Sequence, residues 1–168
     1  MFQVGELVLH SGLGVCRVEE IRRERFPGTA AQSYYVLRPV FDGSATVSYL
    51  PVTGTKVRLQ RLLTAEEIGA LLCSLPRDAL PWVENDMQRR EEFGRILREG
   101  DRRQLLQMIL LLHERQKEKQ CGGKRLHTAD ENALHSAERL IHQEFACSLK
   151  IPREEVAPYI MAQLGIPS

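Results

Sequence analysis

The sequence has almost no net charge and no long apolar segment. Its 168 residues carry 23 Lys and Arg against 22 Asp and Glu, a formal charge of +1. A protein that binds nucleic acid by charge alone usually has a clear basic excess, so any DNA contact here has to be local or supported by a protein partner. The longest apolar run, residues 108–112, is shorter than the roughly 20 residues that cross a bilayer. Glu6 and His10 interrupt the one candidate signal segment. The composition therefore predicts a cytoplasmic protein without a membrane partner.

Cysteine and catalytic motifs are also scarce. The four cysteines form no CxxC pair and no disulfide framework: Cys16, Cys73, Cys121 and Cys147. Four residues are candidate ligands for a zinc site: Cys121, His127, His135 and His142. The spacing of these residues matches no metal-binding pattern, so we expect neither metal nor cofactor. A zinc-dependent or redox enzyme is kept as an alternative hypothesis, which metal analysis of the protein would test. GxSxG, HExxH and phosphate-binding glycine loops are missing, which predicts a protein without enzymatic activity.

Residues 1–60 have the pattern of short strands separated by turns. Strands are predicted over residues 7–9, 15–21, 33–41, 45–50 and 56–59. Pro27-Gly28 marks one turn, and Asp42-Gly43 between two β-rich runs is a strong hairpin signal. An open sheet of this size would leave much apolar surface exposed. We therefore predict a small Tudor/SH3-like barrel.

From Leu63 onward the hydrophobic period becomes helical. Capping-box patterns occur at Thr64-x-x-Glu67 and Thr128-x-x-Glu131. A helix is predicted to follow Thr64 and to stop at Pro76, and a second to cover residues 81–98 and to end at Gly100. Further helices are predicted to cover residues 102–119, to follow Thr128, and to follow Pro152 as far as about Leu164. In the second helix, the residues expected to face inward are Val83, Met87, Ile96 and Leu97. Such amphipathic helices must pack together, so the chain is predicted to be α+β, with a barrel over 1–60 and a bundle of about five helices over 61–168.

Weak motifs follow one another in order along residues 2–150. Residues 2–21, FQVGELVLHSGLGVCRVEEI, carry a VG step, two turn glycines and the later valine and isoleucine of a known opening pattern. The remaining matches are Tyr35-Val-Leu37, Pro51, Val57-Arg58, Gly100-Asp101, Arg115-x-x-Glu118 and residues 137–144, AERLIHQE. Taken in this order, the motifs resemble the CarD/CdnL family of bacterial RNA-polymerase-binding transcription regulators.

The resemblance implies both architecture and partners. It implies a Tudor-like N-terminal barrel, shared with transcription-repair coupling factors, that binds the β subunit of RNA polymerase. It also implies a helical domain that contacts promoter DNA at the upstream edge of the transcription bubble and stabilises or modulates the open complex. Family members carry a tryptophan near the start of the second helix of this domain, followed by basic residues. Here that position is Asp86, and the only tryptophan, Trp82, lies one helical turn earlier.

Two groups of candidate site residues follow. For DNA they are Trp82, as a wedge in the minor groove, with Arg89 and Arg90 reaching phosphates. For the polymerase they are the returning strand, which would add to an edge strand of the partner, and nearby arginines that would meet acidic residues: Thr46, Val47, Ser48, Tyr49, Arg22, Arg23, Arg25 and Arg58.

Each group has a structural alternative. Trp82 is equally suited to packing between the first two helices, with the arginines paired to Glu91, to Glu92 or to solvent. On the strands, Glu19, Glu20 and Glu24 can neutralise the arginines, and the resemblance places Glu24 where the family often has arginine. A second hypothesis for function is an adaptor on RNA polymerase, presumed monomeric, whose helical domain has lost DNA contact. It is motivated by the acidic residues near Trp82, namely Glu84, Asp86, Glu91 and Glu92.

Overall fold

The computed structural model describes residues 1–43, 45–76 and 80–167. The chain forms two compact units, Met1–Leu62 and Leu63–Ser168. Within these described residues the first unit contains five antiparallel strands and the second five α-helices, which confirms the predicted α+β class.

The first unit is a single antiparallel sheet. Its strands are β1 (Leu7–His10), β2 (Gly14–Glu24), β3 (Gln32–Pro39), β4 (Ser48–Pro51) and β5 (Leu59–Arg61). The order β4-β3-β2-β1-β5 leaves β4 and β5 as the two edges. The sheet is therefore open, and the predicted closed barrel is not confirmed. The two edge strands hold only four and three residues, so each offers few backbone groups for closing the sheet on itself.

One face of this sheet carries the core of the first unit. Its buried members are Val8, Cys16, Val18, Tyr35, Leu37 and Leu50. The pairing between β2 and β3 shifts register between Val18 and Glu20. This bulge inserts one residue into β2, so that Val18 and Ile21 both lie on the core side although they are an odd number of positions apart.

The loop after β3 is longer than predicted. The last pair between β3 and β4 is Leu37 with Ser48, so Thr46 and Val47 lie before the strand and the predicted start at Ala45 is wrong. Arg38 holds this loop by donating from Nη1 to the carbonyl of Ala45 at 3.0 Å. A side-chain contact replaces the strand pairing that the Asp-Gly signal predicted. The last strand also begins later than predicted, at Leu59.

The second unit is built from α1 (Ala65–Ser74), α2 (Asp86–Glu99), α3 (Arg102–Cys121), α4 (Thr128–Leu149) and α5 (Val156–Leu164), with a 3-10 turn at Arg153–Glu155. Its core is mainly apolar, and its completely buried side chains include Ile68, Ile96, Leu105, Met108, Leu112, Ile141 and Phe145. Four polar or charged side chains are buried with them, namely Arg89, Asp130, Gln143 and Glu144.

Some helix ends lie where the sequence predicted them, and others do not. The capping box of α1 is confirmed, with the Glu67 amide donating to Thr64 Oγ1 and the Thr64 amide to Glu67 Oε2. The second predicted box is wrong, because α4 begins at Thr128 itself and His127 before it makes no side-chain cap. Gly100 ends α2 in a left-handed conformation with φ of 66°, as the sequence predicted.

Helix α2 starts later than predicted and presents a different inner face. Asn85 caps it by accepting the Gln88 amide at Oδ1, so residues 81–84 precede the helix. Met87 was expected to face inward, yet 74% of it is exposed. The buried positions of α2 are Arg89, Phe93 and Ile96, which share one helical face. The inward position predicted at Ile96 is therefore confirmed.

Candidate functional site

Trp82 lies in the segment before α2 and is half-buried beside two cations. The Cζ atom of Arg89 is 4.5 Å from the centroid of the indole ring, and that of Arg115, on α3, is 4.4 Å away. Both distances are within the range of cation–π attraction. The indole is thus fixed against the helical unit rather than projecting freely from it.

Arg89 is part of a buried ion-pair network. Only 4% of its side chain is exposed. Its Nε and Nη2 atoms donate to the two oxygens of Asp130, on α4, at 3.0 and 2.8 Å. Nη2 also donates to Asp86 Oδ1 at 2.7 Å, and Nη1 to the carbonyl of Val83 at 2.9 Å. The hydrogen bond to Asp130 is the main cause that raises the pKa of Arg89.

This network changes the interpretation of Arg89. All three guanidinium nitrogens are engaged within the protein, so the phosphate contact predicted for Arg89 does not fit this geometry. Its pairing also differs from the sequence-level alternative, which named Glu91 and Glu92 as partners. The burial of Arg89 could have been inferred from the sequence. Arg89 lies four residues before Phe93 and seven before Ile96, which places all three side chains on one face of the helix. Sequence reasoning assigned neither Asp130 nor Arg115 to the site.

The exposed side chains around Trp82 include both basic and acidic residues. Arg90 is exposed on α2, as a phosphate contact would require. Glu84 is largely exposed and contacts Arg115 at 3.4 Å, and Asp86 and Glu91 are exposed as well. The pKa of Asp86 is lowered by its hydrogen bond with Arg89, so this carboxylate stays negative at neutral pH.

In the first unit, edge strand β4 contains Ser48 and Tyr49 of the predicted polymerase-binding set. Strand β4 pairs with β3 along one side, and its other side is an edge of the sheet. The alternation along β4 directs Leu50 into the core and leaves Tyr49 37% exposed. Thr46 and Val47 lie in the loop that leads to this edge.

Phe26, Tyr34 and Tyr49 form an aromatic patch on the sheet face opposite the core. The ring of Phe26 meets Tyr34 edge-on at 5.0 Å between centroids and Tyr49 at 5.4 Å. Phe26 is 37% exposed, like Tyr49, whereas Tyr34 is buried. Phe26 is absent from the sequence-predicted set. Its neighbour Pro27 indicated only a turn.

The arginines beside this patch differ in how they are paired. Arg22 donates from Nη2 and Nε to Glu20 at 2.8 and 3.1 Å, and its Nη1 lies 3.5 Å from Glu24. The hydrogen bond with Glu20 is the main cause that raises the pKa of Arg22. Arg23, Arg25 and Arg58 are exposed. The alternative in which glutamates neutralise the strand arginines therefore holds for Arg22.

A cluster of histidines surrounds one carboxylate on the second unit. His113 Nε2 lies 2.6 Å from Glu138 Oε1, and His135 Nδ1 lies 3.9 Å from Oε2. His142 is partly buried one turn further along α4. Among the described residues, no group of three or more His, Cys, Asp or Glu side chains is arranged to hold a metal ion.

Comparison with protein-family models gives a match over residues 2–63, to the CarD-like/TRCF RID domain. The first unit belongs to this domain family. The match confirms the resemblance over residues 2–63 and indicates a transcription-related protein that interacts with RNA polymerase. No curated protein matches the chain. All eight residues predicted to bind polymerase lie inside the CarD-like domain, whereas Trp82, Arg89 and Arg90 lie outside the matched residues. Within the described part of the chain, no helix combines the length and apolarity needed to span a membrane.

Proposed function

We propose that this chain is a non-enzymatic bacterial transcription regulator. Its CarD-like domain binds the β subunit of RNA polymerase, and its helical unit modulates the promoter open complex at the upstream edge of the bubble. The observation that carries the proposal is the family match over residues 2–63, within which β4 offers an unpaired strand edge. Because the net charge is only +1, most of the affinity for the promoter complex comes from the polymerase.

On the polymerase side, the proposed mode of binding is strand addition. An extended segment of the β subunit pairs with the backbone of β4, and main-chain hydrogen bonds supply affinity. Side chains that alternate along β4 supply specificity, and Tyr49 is the exposed one. Arg23, Arg25 and Arg58 are exposed and available for acidic residues of the partner.

On the DNA side, the proposed contacts are Trp82 and Arg90. For the indole to enter a minor groove it must leave Arg89 and Arg115, and each cation–π contact is worth roughly 0.5–2 kcal/mol. Unstacking a base step costs a few kcal/mol more. A weakly charged domain gains little binding energy from phosphates to offset these two costs. Insertion of the indole is therefore favourable only where the DNA is already distorted and held nearby, as at the edge of an open bubble.

A second candidate is an adaptor that binds polymerase while its helical unit makes no DNA contact. Two observations favour it. Arg89 is engaged in a buried ion pair with Asp130, and the acidic residues Glu84, Asp86 and Glu91 are exposed around Trp82. Carboxylates at these positions repel phosphates.

Footprinting of promoter complexes separates the two candidates. With the full chain and holoenzyme, we expect protection at the upstream edge of the bubble and a changed open-complex lifetime. Trp82→Ala should abolish both effects, and Arg90→Gln should weaken them. Met87→Ala, which alters an exposed residue of the same helix, is the matched control and should change neither. Binding to the β subunit with a footprint indifferent to Trp82→Ala and Arg90→Gln supports the adaptor, whereas failure of the full chain to bind the β subunit rejects both functions.

A further inference from the structure

The strongest observation that the proposed function leaves unused is the aromatic patch of Phe26, Tyr34 and Tyr49. Two of its rings are 37% exposed. They are in contact with each other at 5.4 Å between centroids, and one of them belongs to the edge strand β4. Exposed aromatic side chains that cluster beside an open strand edge are typical of the anchoring residues of an interface.

The patch is rigid before any partner arrives. Tyr34 is buried, and its hydroxyl accepts a hydrogen bond from Gln32 Nε2 at 2.9 Å. Phe26 packs edge-on against both tyrosines. Because these rings are already held, little side-chain entropy is lost when a partner covers them.

The charge of Arg22, the arginine in contact with Tyr49, is already balanced. Arg22 is the arginine nearest to Tyr49, with Nη1 3.5 Å from the tyrosine hydroxyl. Its guanidinium is engaged by Glu20 and lies close to Glu24. An acidic partner residue would have to compete with these two carboxylates, so Arg22 gains little by exchanging one ion pair for another.

We propose that the CarD-like domain binds its polymerase segment through the aromatic patch, with Phe26 and Tyr49 as the dominant anchors and Arg22 as a minor contributor. This inference rests on the proposed function. The occupant is an extended segment of the β subunit that pairs with β4 and places an apolar side chain against Phe26 and Tyr49. Continuity between the patch and the strand edge carries the choice, since Tyr49 belongs to the strand with which the segment pairs and its ring contacts Phe26.

The salt dependence of binding tests this directly. Attraction between exposed charges is screened over about 8–10 Å at ordinary ionic strength, whereas apolar contact is not weakened by salt. For the full chain and isolated β subunit, we expect Kd to change less than about threefold between roughly 0.1 and 0.5 M KCl. Binding dominated by arginines would weaken much more steeply over this range.

Substitutions locate the anchor. We expect Phe26→Ser and Tyr49→Thr each to raise Kd about tenfold or more. Tyr49→Phe keeps the ring and removes only the hydroxyl, so it should leave Kd unchanged. Arg22→Gln should raise Kd less than about threefold. Val40→Ser is the matched control, because Val40 is an exposed apolar residue of the same domain outside the patch.

The possible results are distinguishable. Circular dichroism and the unfolding midpoint of each variant show whether the domain remains folded, and Phe26→Leu serves if Phe26→Ser does not fold. Wild-type binding that is unaffected by Phe26→Ser, Phe26→Leu and Tyr49→Thr, but is lost in Arg22→Gln, overturns the aromatic anchor and leaves the proposed function standing. No binding by the wild-type chain overturns both.

Discussion

Replacing Asp130 by alanine should destabilise the helical unit severely. Asp130 is 1% exposed and binds the Arg89 guanidinium through both of its oxygens. The substitution leaves Arg89 buried, with only the exposed carboxylate of Asp86 as an ionic partner. Removing one member of a buried ion pair typically costs 3–5 kcal/mol, and because Asp86 remains we expect about 3 kcal/mol. At roughly 4 °C per kcal/mol for a unit of this size, Tm should fall by about 12 °C.

The chain provides both the probe and the control for this measurement. Trp82 is its only tryptophan and contacts Arg89, so its fluorescence during urea unfolding follows the helical unit. Glu92→Ala removes a partner of Arg95 from a half-exposed pair on the same helix and should cost less than about 1 kcal/mol. The double variant Arg89→Met/Asp130→Leu buries no charge and should recover most of the loss. If Asp130→Ala costs no more than Glu92→Ala, then Arg89 is not a buried charge, and its assignment to the core rather than to DNA is refuted.

Two further predictions concern the helical unit. Burial lowers the pKa of His142 in the folded protein. As pH falls, His142 is therefore protonated in the unfolded chain before it is protonated in the folded one, and the free energy of unfolding should decline below about pH 6.5. In urea unfolding midpoints measured at a series of pH values, His142→Asn should remove that decline. Burial acts to raise the pKa of Glu138, but its hydrogen bond with His113 and the nearby histidine charges outweigh this and lower it. A second loss is therefore expected as pH falls below about 4.5. Thr64→Ala should cost about 1 kcal/mol in urea unfolding because it removes the cap of α1. Glu66→Ala, in the same turn, should cost less than half of that, and equal costs would contradict a capping role.

Features set by local backbone chemistry could be predicted from the sequence. Thr64 caps α1, α1 ends before Pro76, and Gly100 ends α2 in a left-handed conformation. Each of these depends on residues a few positions apart, so the sequence contains the whole cause. The resemblance carried by the motifs in residues 2–63 was also visible in the sequence, and the family match confirms it there.

Features set by tertiary packing could not be predicted. Arg89 shares its helical face with Phe93 and Ile96, which indicates a buried charge, but the partner Asp130 lies 41 residues away on α4. Only the packing of α2 on α4 selects that carboxylate. The start of α2 was predicted at residue 81, but the cap in the structure is formed four residues later, where Asn85 accepts the Gln88 amide.

The buried carboxylate of Glu144 has a consequence for how the chain folds during synthesis. Its side chain is completely buried, accepts the backbone amide of Leu63 at 2.9 Å and is bound by Arg102. Leu63 is the first residue of the helical unit, and 81 positions separate it from this partner. On the ribosome, the CarD-like domain is synthesised in full before α4 exists, whereas the contact between the Leu63 amide and Glu144 cannot form until α4 has been translated. A ribosome stalled just short of Glu144 would therefore carry a complete CarD-like domain attached to a helical unit that lacks this contact.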